Sequence, residues 1–312
     1  MRFVRYISEV GPSFGVLDDG EAVTPLYSLF EEALASRPAL GISREFIQLA
    51  LDDAKVFLAS LDIIRAAIDE ARDVVDRVPV EADKLSELYV LPFVDAPEKV
   101  LGVSYNYRKF KQEEGIEDTP IPQVFPKTPS SILGARVPVR VPSAITNVDF
   151  EAEVGVIIGS TARRVGLAEA ARCIAGYTAL NEMTAKILPR PKMDLETIQL
   201  RLKGIDNFCP MGPVVVTADE WESLGTEIHV NCKVNGEVRQ HYPAYDWVHS
   251  PAEVIAFLSG FMTLRPGDVL SMGTSSGVGI ADVPPRLLND RDVVEVWIDG
   301  IPGTNNVVQF NP

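Results

Sequence analysis

With 312 residues, 46% of them hydrophobic and 23% charged, the chain has the length and composition for a buried core and for one large domain or two modest ones. Its formal net charge of −15 opposes binding to phosphate backbones and to anionic membrane surfaces, so neither nucleic acid nor lipid is an expected partner. Met1-Arg2-Phe3-Val4-Arg5-Tyr6 lacks the apolar core of a signal peptide, no run approaches roughly 18 apolar residues, and Cys173, Cys209 and Cys232 stand isolated, as reduced thiols do. The expected location is cytoplasmic.

In chain order, residues 3–6 and 14–17 read as short strands among Gly and Asp turns. A helix-rich stretch follows, with Val56, Leu58, Leu61, Ile64, Ala67 and Ile68 at helical spacing. The polar residues 81–87 lead into Leu91-Pro92, which places a boundary between a small N-terminal α+β domain, 1–92, and a second domain, 93–312. In the second domain, residues 100–103, 154–158, 214–216, 269–271 and 293–298 read as strands, and residues 251–260 as a helix. Val234-Asn235-Gly236-Glu237 reads as a hairpin, because Asn-Gly tolerates the positive φ of a type I′ turn. The expected class is β-rich α+β.

The segment from Asp149-Phe150-Glu151-Ala152-Glu153-Val154 to Gly159 carries the chemistry. Read as a strand, it turns Phe150, Ala152, Val154, Val156 and Ile158 to one face and Glu151 and Glu153 to the other, with Gly155 leaving space beside them. Two carboxylates so close repel each other, and a divalent cation resolves the conflict. Alternating Glu is also common on solvated strand faces, but Glu182, at the end of the strand-like run from Ala175, supplies a third acid. Three oxygen ligands without Cys or paired His favour a hard ion, Mg2+ or Mn2+.

These segments, together with Gly102-Val103-Ser104-Tyr105-Asn106-Tyr107, Val124-Phe125-Pro126-Lys127, Gly176-Tyr177-Thr178, Lys203-Gly204, Pro210-Met211-Gly212-Pro213 and Gly273-Thr274 with Gly277-Val278-Gly279, resemble the fumarylacetoacetate hydrolase superfamily. The resemblance is strongest over residues 101–308 and rests on the order and spacing of the pieces. It implies a mixed β-sandwich roll, usually dimeric, with Mg2+ or Mn2+ (Ca2+ as the alternative) held by Glu151, Glu153 and Glu182. It implies a small anionic carbonyl substrate, an enolisable 2-oxo acid or 1,3-dicarbonyl, contacted by Tyr105, Tyr107, Arg108, Phe110, Lys186, Gln240 and Thr274. Lys203 lies where the family places a lysine close to the metal, and Lys127 or Glu113 is the expected proton handler.

Three positions depart from the hydrolase pattern. Phe110 stands where C–C hydrolases carry the His that activates water, and a benzyl group accepts no proton. The third ligand is Glu182 rather than Asp, as in the hydratase and 2-oxo acid decarboxylase branch, and Lys186 replaces an Arg. Decarboxylase, hydratase or tautomerase chemistry is therefore expected ahead of C–C hydrolysis by another base, and ahead of a homologue that only binds small molecules. Residues 188–202, with Arg190, Lys192 and Arg201, read equally as a basic lid and as a solvated loop. Gly273-Thr274-Ser275-Ser276-Gly277 has the letters of a nucleophile elbow, but no His follows it; His229, His241 and His249 also lack zinc-ligand spacing.

Overall fold

The computed structural model describes residues 1–9, 11–18, 20–37, 42–75, 82–186 and 199–310. The N-terminal segment forms strands β1 (Arg2–Ser8), β2 (Gly11–Leu17) and β3 (Ala22–Pro25), then helices α1 (Leu26–Ser36), α2 (Arg44–Asp52), α3 (Ala54–Ala59) and α4 (Leu61–Val75). The helix-period residues 56–68 thus divide between α3 and α4, where the Ser60 amide closes the first helix on Val56 and Phe57 carbonyls. Short strands β4 (Asp83–Lys84) and β5 (Tyr89–Val90) follow.

The next stretch gives β6 (Val100–Ser104), α5 (Arg108–Glu114), β7 (Gln123–Lys127), β8 (Ile132–Leu133), β9 (Val139–Val141) and β10 (Val148–Asp149). It continues through β11 (Ala152–Ile158), α6 (Leu167–Arg172), β12 (Ile174–Asn181) and β13 (Thr184–Ala185). The last stretch holds α7 (Gln199–Lys203), β14 (Cys209–Pro210), β15 (Val214–Thr217), α8 (Ala218–Ser223), β16 (His229–Val234) and β17 (Glu237–Pro243). It ends with α9 (Pro251–Ser259), β18 (Val269–Ser271), β19 (Val293–Ile298) and β20 (Ile301–Phe310). Ser250 and Glu253 form a capping box on α9, and Pro251 occupies its first turn, where a missing N–H costs nothing. Asn235 and Gly236 take φ of 52° and 80° between the paired Val234 and Glu237, as the Asn-Gly signal requires.

Two sheets organise these elements. The long one runs β4-β3-β2-β1-β15-β12-β11-β18-β6-β7, with β5 also beside β1; the second runs β17-β16-β19-β20-β9. Both mix directions, since β18 lies parallel to β6 and β20 parallel to β9. One core fills the space between the sheets and contains Phe150, Ala152, Val154, Val156 and Ile158, the expected inward face of β11. The other face of β11 reaches a second core at Ile157, which α1 to α4 cover. Gly155 does not open space beside the acids: a Cβ there would meet Leu180 Cγ at 2.6 Å, so the missing side chain admits Leu180.

The division at residue 92 does not coincide with a gap in the structure. β1 pairs with β15, Phe3 opposite Val215, so the N-terminal strands extend the sheet that carries β11. Phe57 is fully buried and packs its ring against Phe3, Phe14 and Phe93 at 5.2, 4.3 and 5.8 Å. No helix of the described residues is long and apolar enough to cross a membrane.

We propose that residues 1–92 support the fold without taking part in chemistry. Phe57→Ala should then destabilise the protein by about 3–5 kcal/mol, read by urea denaturation, while turnover per folded molecule stays at the parent value. A fall in turnover with unchanged stability would refute this division of labour.

Candidate metal centre

Pairing of β11 with β12 sets Ala152 opposite Asn181, which brings the next residues outward, Glu151 and Glu182, face to face. The Glu182 amide donates to the Glu151 carbonyl at 2.8 Å, and the Asn181 side-chain oxygen accepts from the Glu151 amide at 3.1 Å. Glu153 follows one strand period inside. One carboxylate oxygen from each of Glu151, Glu153 and Glu182 lies within 4.8 Å of the others, and all three residues are buried.

Three lysines meet these acids. Lys127, at the end of β7, is completely buried and donates to Glu182 Oε1 at 2.5 Å. Lys186 donates to Glu151 Oε1 at 2.9 Å and approaches Asp149 Oδ2 at 3.9 Å. Lys203, at the end of α7, donates to Glu151 Oε2 at 2.8 Å and to Glu182 Oε2, and its ammonium lies 4.9 Å from the centre of the Phe125 ring. Ser271 Oγ and the Gly273 amide both donate to Glu153 Oε2, at 2.6 and 2.7 Å.

The electrostatics differ among the acids. Burial disfavours the charge of Glu151, but Lys186 and Lys203 outweigh it and hold the carboxyl well below its ordinary range. Burial, reinforced by Glu182 and Glu151, pushes Glu153 well above that range; Glu182 is also raised, by burial that Lys127 and Lys203 only partly offset. Burial opposes the charge of Lys203, yet Glu151, Glu182 and Glu153 raise its pKa and keep it protonated. A buried carboxyl forced toward neutrality by two neighbouring carboxylates is the condition that a cation relieves, and an all-oxygen donor set suits a hard divalent ion. The residues present fit such an ion.

A cavity of about 200 Å³ opens beside the acids. Its lining joins the polar Glu151, Glu153, Thr184, Lys186, Lys203 and Thr274 to apolar side chains that include Tyr105 and Phe110, nearly parallel, 9° apart at 6.2 Å. Of the residues expected at the site, Glu151, Glu153, Lys186, Lys203, Thr274, Tyr105 and Phe110 therefore meet at one cavity, with Glu182 bonded beneath them.

Other expected contacts are placed elsewhere. Tyr107 is fully buried, donating to the Ala244 carbonyl and accepting from Trp247 Nε1, because its strand bridge to Trp247 turns it into the core. Arg108 is exposed and faces Asp246 at 3.8 Å. Gln240 is buried behind the wall: its amide nitrogen donates to Thr274 Oγ1 at 2.8 Å and to the Ser275 carbonyl at 3.1 Å, and its oxygen accepts from the Ala152 amide at 2.9 Å. It fixes Thr274 and does not face the cavity. Of the two expected proton handlers, Lys127 is enclosed against Glu182, and Glu113 is exposed and accepts from Ser276 Oγ. Most of the expected lid, including Arg190 and Lys192, lies outside the described residues; Arg201 is exposed on α7, while Gln199 and Leu202 reach the cavity.

Asp149 escaped the sequence reading. It is fully buried and accepts from the Gly279 and Ile280 amides, both at 2.8 Å, tying the cavity-lining turn to the acid strand. Its signal was present, since residues 149, 151 and 153 share one strand period.

Gly273 occupies φ +93°, and a Cβ there would meet the Val103 carbonyl oxygen at 2.8 Å. Gly273→Ala alters no ligand but displaces the amide that holds Glu153. It should weaken Mn2+ binding by about tenfold or more, measured by calorimetry; parent-like affinity would show that this amide does not orient Glu153.

With this geometry in hand, the comparisons fall on one family. The profile of the fumarylacetoacetate (FAA) hydrolase C-terminal domain matches residues 99–309. A mitochondrial oxaloacetate tautomerase, fahd2 of Xenopus laevis, is 30% identical over 314 residues, covering 99% of this chain and 90% of the relative. Oxaloacetate tautomerase YisK of Bacillus subtilis is 30% identical over 296 residues, covering 85% of this chain and 97% of the relative. The maleylpyruvate hydrolase of Sphingobium sp. SYK-6, solved with manganese(II) and pyruvate, superposes with a TM-score of 0.72 at 25% identity over all of both chains. By sequence profile, full-length relatives and fold alike, the chain is an enzyme that belongs to the fumarylacetoacetate hydrolase family.

Proposed function

We propose that the protein catalyses keto–enol tautomerisation of a small 2-oxo acid, a reaction of the kind named for the two oxaloacetate tautomerases it resembles. The observation that carries this reading is the cavity wall at Phe110. None of His229, His241 and His249 lines the cavity, so no imidazole is available there to activate water for C–C cleavage. Losing the base that activates water costs a hydrolase about 10² to 10⁴ in rate; tautomerisation exchanges protons at C3 and the C2 oxygen and needs no water activated for attack on carbon. In the enol-to-keto direction C3 gains a proton and the C2 hydroxyl loses one; the reverse direction exchanges both, and no bond between heavy atoms breaks.

Glu151, Glu153 and Glu182 would hold Mg2+ or Mn2+, which when bound supplies Lewis-acid polarisation of the 2-oxo group. Lys203, kept protonated by its three acid neighbours, donates toward negative charge developing at the C2 oxygen and does not act as the base at C3. Lys186 faces the substrate carboxylate, and Thr274, whose hydroxyl donates to the Ala152 carbonyl at 2.9 Å and accepts from Gln240, closes the wall beside it. Manganese in the maleylpyruvate hydrolase supports the metal assignment. Three free buried cysteines support a cytoplasmic setting, and the family resemblance supports a homodimer.

The reaction is tested by following the enol absorbance of oxaloacetate and of an acylpyruvate with protein and Mn2+. Faster ketonisation without release of pyruvate and free acid is expected; cleavage of the acylpyruvate with no tautomerisation of either acid would establish a hydrolase instead. For the metal, Glu153→Gln keeps size while removing charge, and Mn2+ affinity should fall steeply by calorimetry. Burial, Glu182 and Glu151 raise the apo carboxyl of Glu153, so a proton and Mn2+ compete for it. Affinity should therefore rise with pH below the raised pKa, and the binding heat of the parent should vary with the ionisation heat of the buffer. Binding heats independent of buffer would show that Glu153 is already ionised.

A further inference from the structure

We infer that this enzyme prefers 2-oxo acids whose C3 substituent is uncharged and apolar over dicarboxylates such as oxaloacetate. The inference deepens the proposed reaction and rests on that reading for the orientation of the 2-oxo head at the acids. The cations that line the cavity are already set against carboxylates: Lys186 bonds Glu151, and Lys203 bonds both Glu151 and Glu182. Lys186 and Lys203 are the cations among the described lining residues, and apolar side chains such as Val103, Tyr105, Phe110, Leu202, Val278 and Ile280 leave mainly apolar surface for the tail of a substrate whose head lies against these groups.

The face of α5 that Phe110 occupies carries negative charge, the wrong sign for a second carboxylate. Glu113 lies one helical turn from Phe110, and it accepts from Ser276, two residues beyond Thr274. Lys111 on the same helix is buried and paired with Asp118 at 3.0 Å, and Arg108 faces Asp246. A distal carboxylate would lose water without gaining a partner, whereas an aryl or alkyl group would bury apolar surface against the near-parallel Tyr105 and Phe110 rings.

Two unreactive analogues with the same oxamate head separate binding from chemistry: N-phenyloxamate carries an apolar tail and N-oxalylglycine a carboxylate. With the Mn2+-loaded protein, calorimetry should give N-phenyloxamate the lower Kd by about tenfold or more. Phenylpyruvate should exceed oxaloacetate in kcat/KM for tautomerisation by a similar ratio. Phe110→Arg, and separately Ile280→Arg, should narrow or reverse the Kd ratio, with folding checked by circular dichroism. Equal or tighter binding of N-oxalylglycine by the parent overturns the inference, as does an unchanged ratio in both folded arginine variants. If no acid is tautomerised while N-phenyloxamate still binds more tightly, the proposed reaction fails and the preference for an apolar tail stands.

Discussion

The structure depends on keeping four acids dry. Asp149, Glu151, Glu153 and Glu182 are all buried, and Lys127, Lys186 and Lys203 are the cations that meet them. Three lysines face four acids, and Glu153, the one left without a lysine partner among the described residues, is pushed toward neutrality, because a buried unpaired charge costs several kcal/mol. Much of the surrounding architecture serves that balance. β7 ends at Lys127, β13 leads into Lys186 and α7 ends at Lys203, so three separate connections deliver one ammonium each to a single strand pair. Glu153, to which the described lysines donate no hydrogen bond, is held well above its ordinary range, and it is met by a hydroxyl and a backbone amide instead.

The turn at residues 273–277 converts this cluster into a site. Gly273 and Gly277 hold φ of +93° and +95°, and a Cβ at Gly277 would lie 2.2 Å from the Arg239 carbonyl oxygen. That close approach lets Gln240 reach three positions of the turn and hold Thr274 toward the cavity. Across the cavity, Tyr105 adopts a left-handed φ of 51°, which costs a residue with a Cβ about 1–3 kcal/mol, and this sharp bend carries the chain from β6 toward α5. Its ring lies against Phe110, so the strained turn and that benzyl group occupy the same wall.

Some of this was legible without coordinates because it is periodic. Strand alternation separated Phe150, Ala152 and Val154 from Glu151 and Glu153, and both sets occupy the faces that the alternation assigns. The spans of β18 and β19 and the Asn-Gly hairpin followed from local apolar runs and turn chemistry. Where reading failed, the competing factor was a long-range contact. Tyr107 and Gln240 lie close in sequence or family register to cavity residues, but Trp247 draws one into the core and Thr274 draws the other behind the wall. Gly155 looked like room for a ligand until Leu180, on the neighbouring strand, was seen to need that space.

What the sequence determined by itself was therefore which side chains could share a face, Glu151 with Glu153 at period two, and which glycines permit the 273–277 turn. Tertiary structure alone decided which faces meet. Glu182 joins the other acids only because Asn181 registers against Ala152, and a shift of one residue would turn it to the opposite side. Lys127 and Lys203 neutralise the same carboxylate from positions 55 and 21 residues away. The N-terminal strands, set apart by composition, complete the sheet because β15 offers β1 an open edge. Local periodicity places a side chain relative to its own strand, whereas charge balance and edge pairing are satisfied only between segments distant in the chain.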